Sequence, residues 1–209
     1  AWPIYQYGTE VQKERFLIPL AKGEKIGAFG WTEAQAGTRV TAVLNGENYV
    51  INGKKVLITN ALEAEIFVVF AKIDMEKAEN NISAFIIEKG TEGFSIGEPE
   101  DKMGVRGSST CELIFEDCIV PKNNMLGKVG EGFKIAMSTL NGGRIGVAAQ
   151  AIGLAQGALD EAIKYIKERE VNGKKVSQFQ NTQFLIADLQ TRIDAARLLV
   201  YKAADMKDR

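Results

Sequence analysis

The chain is 209 residues long, 45% hydrophobic and 25% charged, with 26 Lys and Arg against 27 Asp and Glu and a formal net charge of −1. That balance describes a globular chain of one large or two modest domains and supplies no basic field for nucleic acid or an anionic membrane. Histidine is absent, which removes His-based acid–base catalysis, Ser-His-Asp and Cys-His arrangements, HExxH zinc sites and two-His iron sites. The only cysteines, Cys111 and Cys118, form no CxxC pair. They argue against structural zinc, an iron–sulfur cluster or a disulfide framework, and for a reducing, cytoplasmic setting. With no leader pattern and no apolar run near ~18 residues, a soluble chain is expected. Chemistry must then rest on carboxylates, Lys, Arg, Tyr, hydroxyls or a bound cofactor.

Ala1–Gly8 is aromatic-rich and reads as a segment from within a larger structure. Thr9 and Gln12 form a capping-box pattern that opens a short helix, which Pro19 and Gly23 are expected to end. From Ile26 to about Val120 the apolar period is mainly two. Expected strands are Ile26–Phe29, Val40–Leu44, Tyr49–Ile51, Lys54–Ile58, Ile66–Lys72, Ile82–Glu88, Phe94–Ile96 and Cys111–Phe115. Asn45-Gly46 and Asn52-Gly53 both carry a hairpin signal. The near-continuous apolar run Ile66–Ala71 predicts a central strand covered on both faces, and alternation places Cys111, Leu113 and Phe115 on one face. These spacings predict an antiparallel sandwich or barrel; no strand–helix–strand repeat or GxGxxG supports a Rossmann reading.

Beyond Pro121 the period becomes helical. Gly130–Arg169 is one long helical region rich in Gly and Ala, with a kink expected at Gly142-Gly143, and about Ser177–Met206 is a second. Both are broadly apolar, so further helices or other subunits are expected to cover them. The fold class is therefore α+β: a β-sandwich or barrel middle domain followed by long antiparallel helices of a truncated bundle. The expected divisions are 1–25, 26–125 and 126–209.

Candidate chemistry gathers in a few places. Gly27–Val40 (GAFGWTEAQAGTRV) breaks from a strand into small residues around Gly37 with hydroxyls at Thr32 and Thr38. It suits backbone lying close to something flat or charged, or a plain Gly-containing turn. Thr59 and Asn60 end a strand and can bond a polar ring edge or simply be solvated. Lys102–Ser109 can cradle a phosphate or form a solvated hairpin loop; it is not a Walker A loop. Arg144, in an apolar helical stretch, needs a carboxylate, a carbonyl or a ligand anion. Glu33 has no recognisable acid–base partner, Arg169, Lys174 and Lys175 read as a charged loop, and Tyr165 and Tyr201 read as packing residues.

Together AFGWTEAQAGT (28–38), GKKVLITN (53–60), NISAFIIEKGTEGFSIG (81–97), KMGVRGSSTCELIFEDCIVP (102–121), LGKVGEGFKIAMSTLNGGRIGVAAQAIGLAQGALDEA (126–162) and FQNTQFLIADLQTRIDAARLLVYKAA (179–204) resemble the acyl-CoA dehydrogenase family, most closely its short-chain, butyryl-CoA type. The resemblance implies FAD between the middle β-domain and the helical domain, and removal of two hydrogens from Cα and Cβ of a short-chain acyl-CoA. It also implies electron-transferring flavoprotein as acceptor and a homo-oligomer, a dimer of dimers. It assigns Phe29, Thr32, Ile58, Thr59, Arg169 and Gln180 to cofactor binding, and Thr38 and Arg144 to substrate binding. Within that set Thr32 is expected at the flavin pyrimidine, Thr59 and the Ile58 backbone near N5, and Arg169 and Gln180 at FAD across a subunit interface. The catalytic glutamate and the N-terminal helical domain have no counterpart in these residues. Ala34 replaces the usual proline, Asn141 the usual aspartate, and Leu57 and Asn172 common aromatics, while several residues of the family pattern are absent after Thr38. An acyl-CoA oxidase and a non-catalytic acyl-CoA-binding or structural module are the alternatives.

Overall fold

Strand β4 (Ile66–Ile73) organises the first part of the chain because its apolar run must be covered on both faces. The computed structural model describes residues 1–35, 38–73 and 81–209, so the small residues Ala36 and Gly37 of the candidate site lie outside it. Contacts divide the chain into two units, Ala1–Thr139 and Leu140–Arg209.

In the first unit, β4 lies beside β1 (Gly27–Gly30), β2 (Thr41–Asn45) and β5 (Ile82–Glu88). Strands β3 (Asn48–Thr59), β6 (Phe94–Ile96), β7 (Thr110–Pro121) and β8 (Met125–Leu126) complete an eight-stranded sheet in the order β6-β7-β3-β2-β4-β5-β8, with β1 joining through β4. The sheet is mixed: β1 and β2 run parallel to β4 and the remaining pairs are antiparallel. It curls, since Phe67 of β4 meets Phe94 of β6 edge-on at 4.9 Å and Tyr49 of β3 meets Phe85 of β5 at 5.1 Å. Phe67, Val69, Ala71 and Ile73 face the core inside the curl, with Cys111, Leu113 and Phe115. Ile66, Val68 and Phe70 face a second core. Alternation along one strand thus serves two hydrophobic layers.

The second core is closed by α1 (Trp2–Tyr7), by the helical stretch α2 (Glu10–Gln12) to α3 (Ile18–Lys22), and by the start of α4 (Gly132–Glu168). The Thr9–Gln12 capping box forms as expected. Pro19 does not end the helix. The turn Lys13–Leu17 before it widens to a π-turn, Pro19 sits where its missing N–H is tolerated, and Gly23 caps α3 at φ 72°.

Hairpin β2–β3 turns through Gly46-Glu47, with positive φ at Gly46 alone among the pair. Asn52-Gly53 is no hairpin: β3 runs straight through it to pair with β7, and the extra length is absorbed as register shifts between Ile51 and Gly53 and between Lys55 and Ile58. β7 likewise runs on past Phe115 to Pro121.

In the second unit, α4 continues without a break through Gly142-Gly143, and α5 (Gln180–Asp208) returns antiparallel to it, with Lys207 near Gly142 and Gln190 bonded to Gln156. Asn172-Gly173, both at positive φ, turn the small hairpin of β9 (Glu170–Val171) and β10 (Lys174–Lys175) that joins them. Leu159 and Ile193 are buried, whereas Val147, Leu154, Phe184, Leu198 and Leu199 are exposed.

Candidate functional site

β1 and β2 lie in series along the same edge of β4. Gly27–Gly30 pair with Ile66–Val69, and Thr41-Ala42 pair with Lys72-Ile73. Only Phe70 and Ala71 separate the two registers on β4, while the chain between Gly30 and Thr41 is far longer, so it must leave the sheet. A cleft of about 420 Å³ opens there, lined by Trp31, Thr32, Glu33, Gln35, Thr38, Ile82 and Phe133. Trp31 stands edge-on to Phe70 at 5.1 Å and tilted to Phe133 at 6.2 Å, giving the cleft aromatic walls, with the threonines Thr32 and Thr38 also in its lining. A flat ring with polar edges matches that chemistry.

A buried ion pair joins the cleft lining at Glu33 to Lys55 of β3. Lys55 is fully buried, and its Nζ is 2.5 Å from Glu33 Oε1 and 3.3 Å from the Trp31 carbonyl oxygen. Glu33 also accepts the Arg39 N–H at 2.7 Å and, at a longer 3.5 Å, the Val40 N–H. Burial pulls the Lys55 ammonium below the ordinary lysine value, and the hydrogen bond and charge of Glu33 oppose that pull. Glu33 therefore has the partner that its sequence neighbourhood does not show, and its oxygens are already engaged.

Of the residues expected from the sequence, Thr32 and Thr38 both line the cleft. The Val56 N–H donates to the Thr32 carbonyl at 2.9 Å, which ties the cleft segment to the strand end carrying Ile58 and Thr59. Ile58 is buried and Thr59 exposed, opposite Thr110. Between them and Val56, Leu57 takes φ 56° at the bulge and is exposed. Phe29 packs edge-on against Phe70 at 5.2 Å, so its ring belongs to the second core.

Arg144, Arg169 and Gln180 belong to the second unit and are exposed. Arg144 donates to Asn141 Oδ1 at 2.8 Å, so its need for a partner in an apolar stretch is met locally and in solvent. Roughly 35 Å of helix axis separates it from Arg169. Those two arginines cannot serve one small group. Arg169 and Gln180 instead stand at the two ends of the β9–β10 connection.

The loop 102–109 is organised from within. Lys102 Nζ donates to the carbonyls of Val105 at 2.9 Å and Ser108 at 2.5 Å and to Thr110 Oγ1 at 2.9 Å. Its charge is spent on the loop rather than offered to a phosphate. A larger groove of about 560 Å³ between α4 and α5 is lined almost wholly by Ala, Ile and Leu. Its one charged group, Arg192, is paired with Asp188, so the groove is an uncovered helix face rather than a chemical site. Among the described residues no helix is long and apolar enough to cross a membrane, and no cluster of His, Cys, Asp and Glu is placed to hold a metal ion.

Lys55, Ile82 and Phe133 join Trp31 and the rest of the 27–40 stretch in this region although no local motif marks them. The available signal was parity: Lys55 shares the inward face of β3 with Tyr49 and Ile51.

Fold and cleft define an α+β chain in which a curled mixed sheet, interrupted at an aromatic cleft, is followed by two long antiparallel helices. Residues 28–118 match the family description "Acyl-CoA dehydrogenase, middle domain" and residues 130–209 match "Acyl-CoA dehydrogenase, C-terminal domain". A short-chain specific acyl-CoA dehydrogenase of Clostridium acetobutylicum is 56% identical over 98% of the chain, which spans 55% of that protein. A chain in the structure of the electron transferring flavoprotein of Acidaminococcus fermentans superposes with a TM-score of 0.93 at 58% identity, covering 98% of this chain and 55% of that one. An acyl-CoA dehydrogenase of Bacillus anthracis complexed with FAD superposes with a TM-score of 0.91 at 39% identity, covering 99% of this chain and 37% of that one. The chain belongs to the acyl-CoA dehydrogenase family. It spans about half the length of the relatives it matches.

Proposed function

We propose that the protein containing this chain is an FAD-dependent acyl-CoA dehydrogenase that converts a short-chain acyl-CoA, such as butyryl-CoA, to the trans-2-enoyl-CoA. Electrons then pass to electron-transferring flavoprotein. The observation that carries this reading is the aromatic cleft edged by Thr32 and Thr38 where β1 gives way to β2. Its hydroxyls and backbone suit the polar edge of a flavin, and Trp31 and Phe133 suit the flat faces of a ring system. The bound flavin is the hydride acceptor for such a reaction.

The chain's own residues bind and orient. Thr32 serves the pyrimidine edge, and Thr59 with the Ile58 backbone serves the N5 side. Phe29 contributes through its backbone at the end of β1, since its ring is packed on Phe70. Thr38 and Arg144 serve the acyl-CoA, while Arg169 and Gln180 reach the adenosine half of FAD across a subunit interface. Glu33 is not the base, because Lys55 and two backbone N–H groups hold its carboxylate. The base lies outside this chain. In this reading 1–25 is the remnant of an N-terminal helical domain, 26–125 the middle domain and 126–209 the first helices of the C-terminal domain. The exposed apolar residues of α4 and α5 suit burial against further helices or other subunits, in keeping with a dimer of dimers that shares FAD across an interface, and the free cysteines Cys111 and Cys118 suit a reducing, cytoplasmic setting.

The full-length protein is expected to purify yellow and to lose its visible flavin band when butyryl-CoA is added anaerobically. A folded full-length preparation that takes up no FAD would sink the proposal. Comparing hydrogen peroxide production with reduction of electron-transferring flavoprotein separates the dehydrogenase from an oxidase.

A further inference from the structure

Lys55 and Glu33 form the most deeply buried ion pair among the described residues, with side chains 0% and 6% exposed. Such a pair seldom adds net stability over apolar packing, because both ions must leave water. Its effect is directional: once buried, each group admits very few arrangements of its partners. Here the partners bracket the cleft: Trp31 and Glu33 line it, and Arg39 and Val40 directly follow its lining residue Thr38. Lys55 Nζ holds the Trp31 carbonyl and the Glu33 carboxylate, and the same carboxylate holds the backbone N–H groups of Arg39 and Val40. Thr32 lies between the first two contacts and Thr38 directly precedes the last two. The Val40 carbonyl in turn accepts the Lys72 N–H at 2.7 Å, where β2 rejoins β4.

We propose that the Lys55–Glu33 pair is a positioning device that ties the two ends of the sheet interruption together and sets the spacing of the Thr32 and Thr38 hydroxyls across the cleft. This rests on the flavin reading above, in which those hydroxyls meet the bound cofactor and substrate. Lys55 touches neither; it acts through Glu33 and the Trp31 carbonyl. Misplacing the hydroxyls by a fraction of their hydrogen-bond length weakens binding without unfolding the sheet.

The test uses the full-length protein and the variants Glu33→Gln, Lys55→Met and the double variant, which removes both charges and so avoids a buried unpaired ion. Amide hydrogen exchange is read in the FAD-free protein and FAD affinity by titration. In all three variants the Arg39 and Val40 amides should exchange at least about tenfold faster while β4 and β5 keep their protection. FAD should bind about 10- to 100-fold more weakly. Unchanged exchange at Arg39 and Val40, or unchanged FAD affinity in the double variant, overturns the proposal. So does loss of protection spread evenly over β4 and β5, because that marks a merely structural pair. Wild-type protein that folds but takes no FAD overturns the flavin reading instead, and the exchange at Arg39 and Val40 still decides whether the pair ties the cleft ends together.

Discussion

Gly132, the first residue of α4, is pressed against the backbone of Ile82 at the start of β5: a Cβ on Gly132 would stand 2.7 Å from the Ile82 carbonyl oxygen. Its sequence neighbour Phe133 and Ile82 itself both line the cleft. This contact therefore sets the distance of one cleft wall from the sheet. Gly132→Ala should force helix and strand apart and cost about 1–3 kcal/mol of stability, read from denaturant midpoints of the full-length protein. Gly104→Ala, where no atom lies within 4 Å, is the control and should stay within about 0.5 kcal/mol.

Phe67 and Phe70 allow the two cores of β4 to be told apart. Each is fully buried, and truncation of either to Ala should cost about 3–5 kcal/mol. Phe67 packs inside the curled sheet against Phe94, whereas Phe70 supports Trp31 and Phe29. Only Phe70→Ala should weaken the binding of FAD beyond its effect on stability. Equal losses of affinity in both variants would show that Trp31 does not depend on its support from below.

Lys102 is the organiser of its own loop, with three acceptors on one ammonium group. Lys102→Met leaves those acceptors without their charged donor and should cost about 1–3 kcal/mol. It also frees the backbone that holds the Arg106 guanidinium, whose Nε donates to the Lys102 carbonyl at 2.7 Å. Limited trypsin digestion should then cut after Arg106 about tenfold faster than in wild type.

Burial pushes the Cys118 thiol from 9.0 up to about 11. Between those values the unfolded chain releases a proton that the folded chain retains, so stability falls as pH rises through that window. The stabilisation is fully present below about pH 9 and its loss across the window is on the order of 2–3 kcal/mol. Cys111 is displaced in the same direction, with burial the main cause. Denaturation of wild type and Cys118→Ala at about pH 8 and about pH 10.5 should show the wild type losing more stability across that interval. Parallel losses would contradict the assignment.

Residues close in sequence settled a good part of this chain. The expected strands Ile82–Glu88 and Phe94–Ile96 appear with those bounds, the Thr9–Gln12 capping box forms, and both long helices follow their apolar period. Alternation, capping and helical period arise between residues a few positions apart, so the sequence alone carries them. Tertiary structure decided the rest. Asn52-Gly53 carries the same turn signal as Asn45-Gly46, yet β7 offers β3 a partner on both sides of it and the signal is overridden. Two consecutive lysines, Lys54 and Lys55, read alike in sequence, but one is exposed and the other is wholly buried against Glu33. Burying a charge depends on a partner brought in by another segment, here across the interruption between β1 and β2, and no local pattern records that meeting.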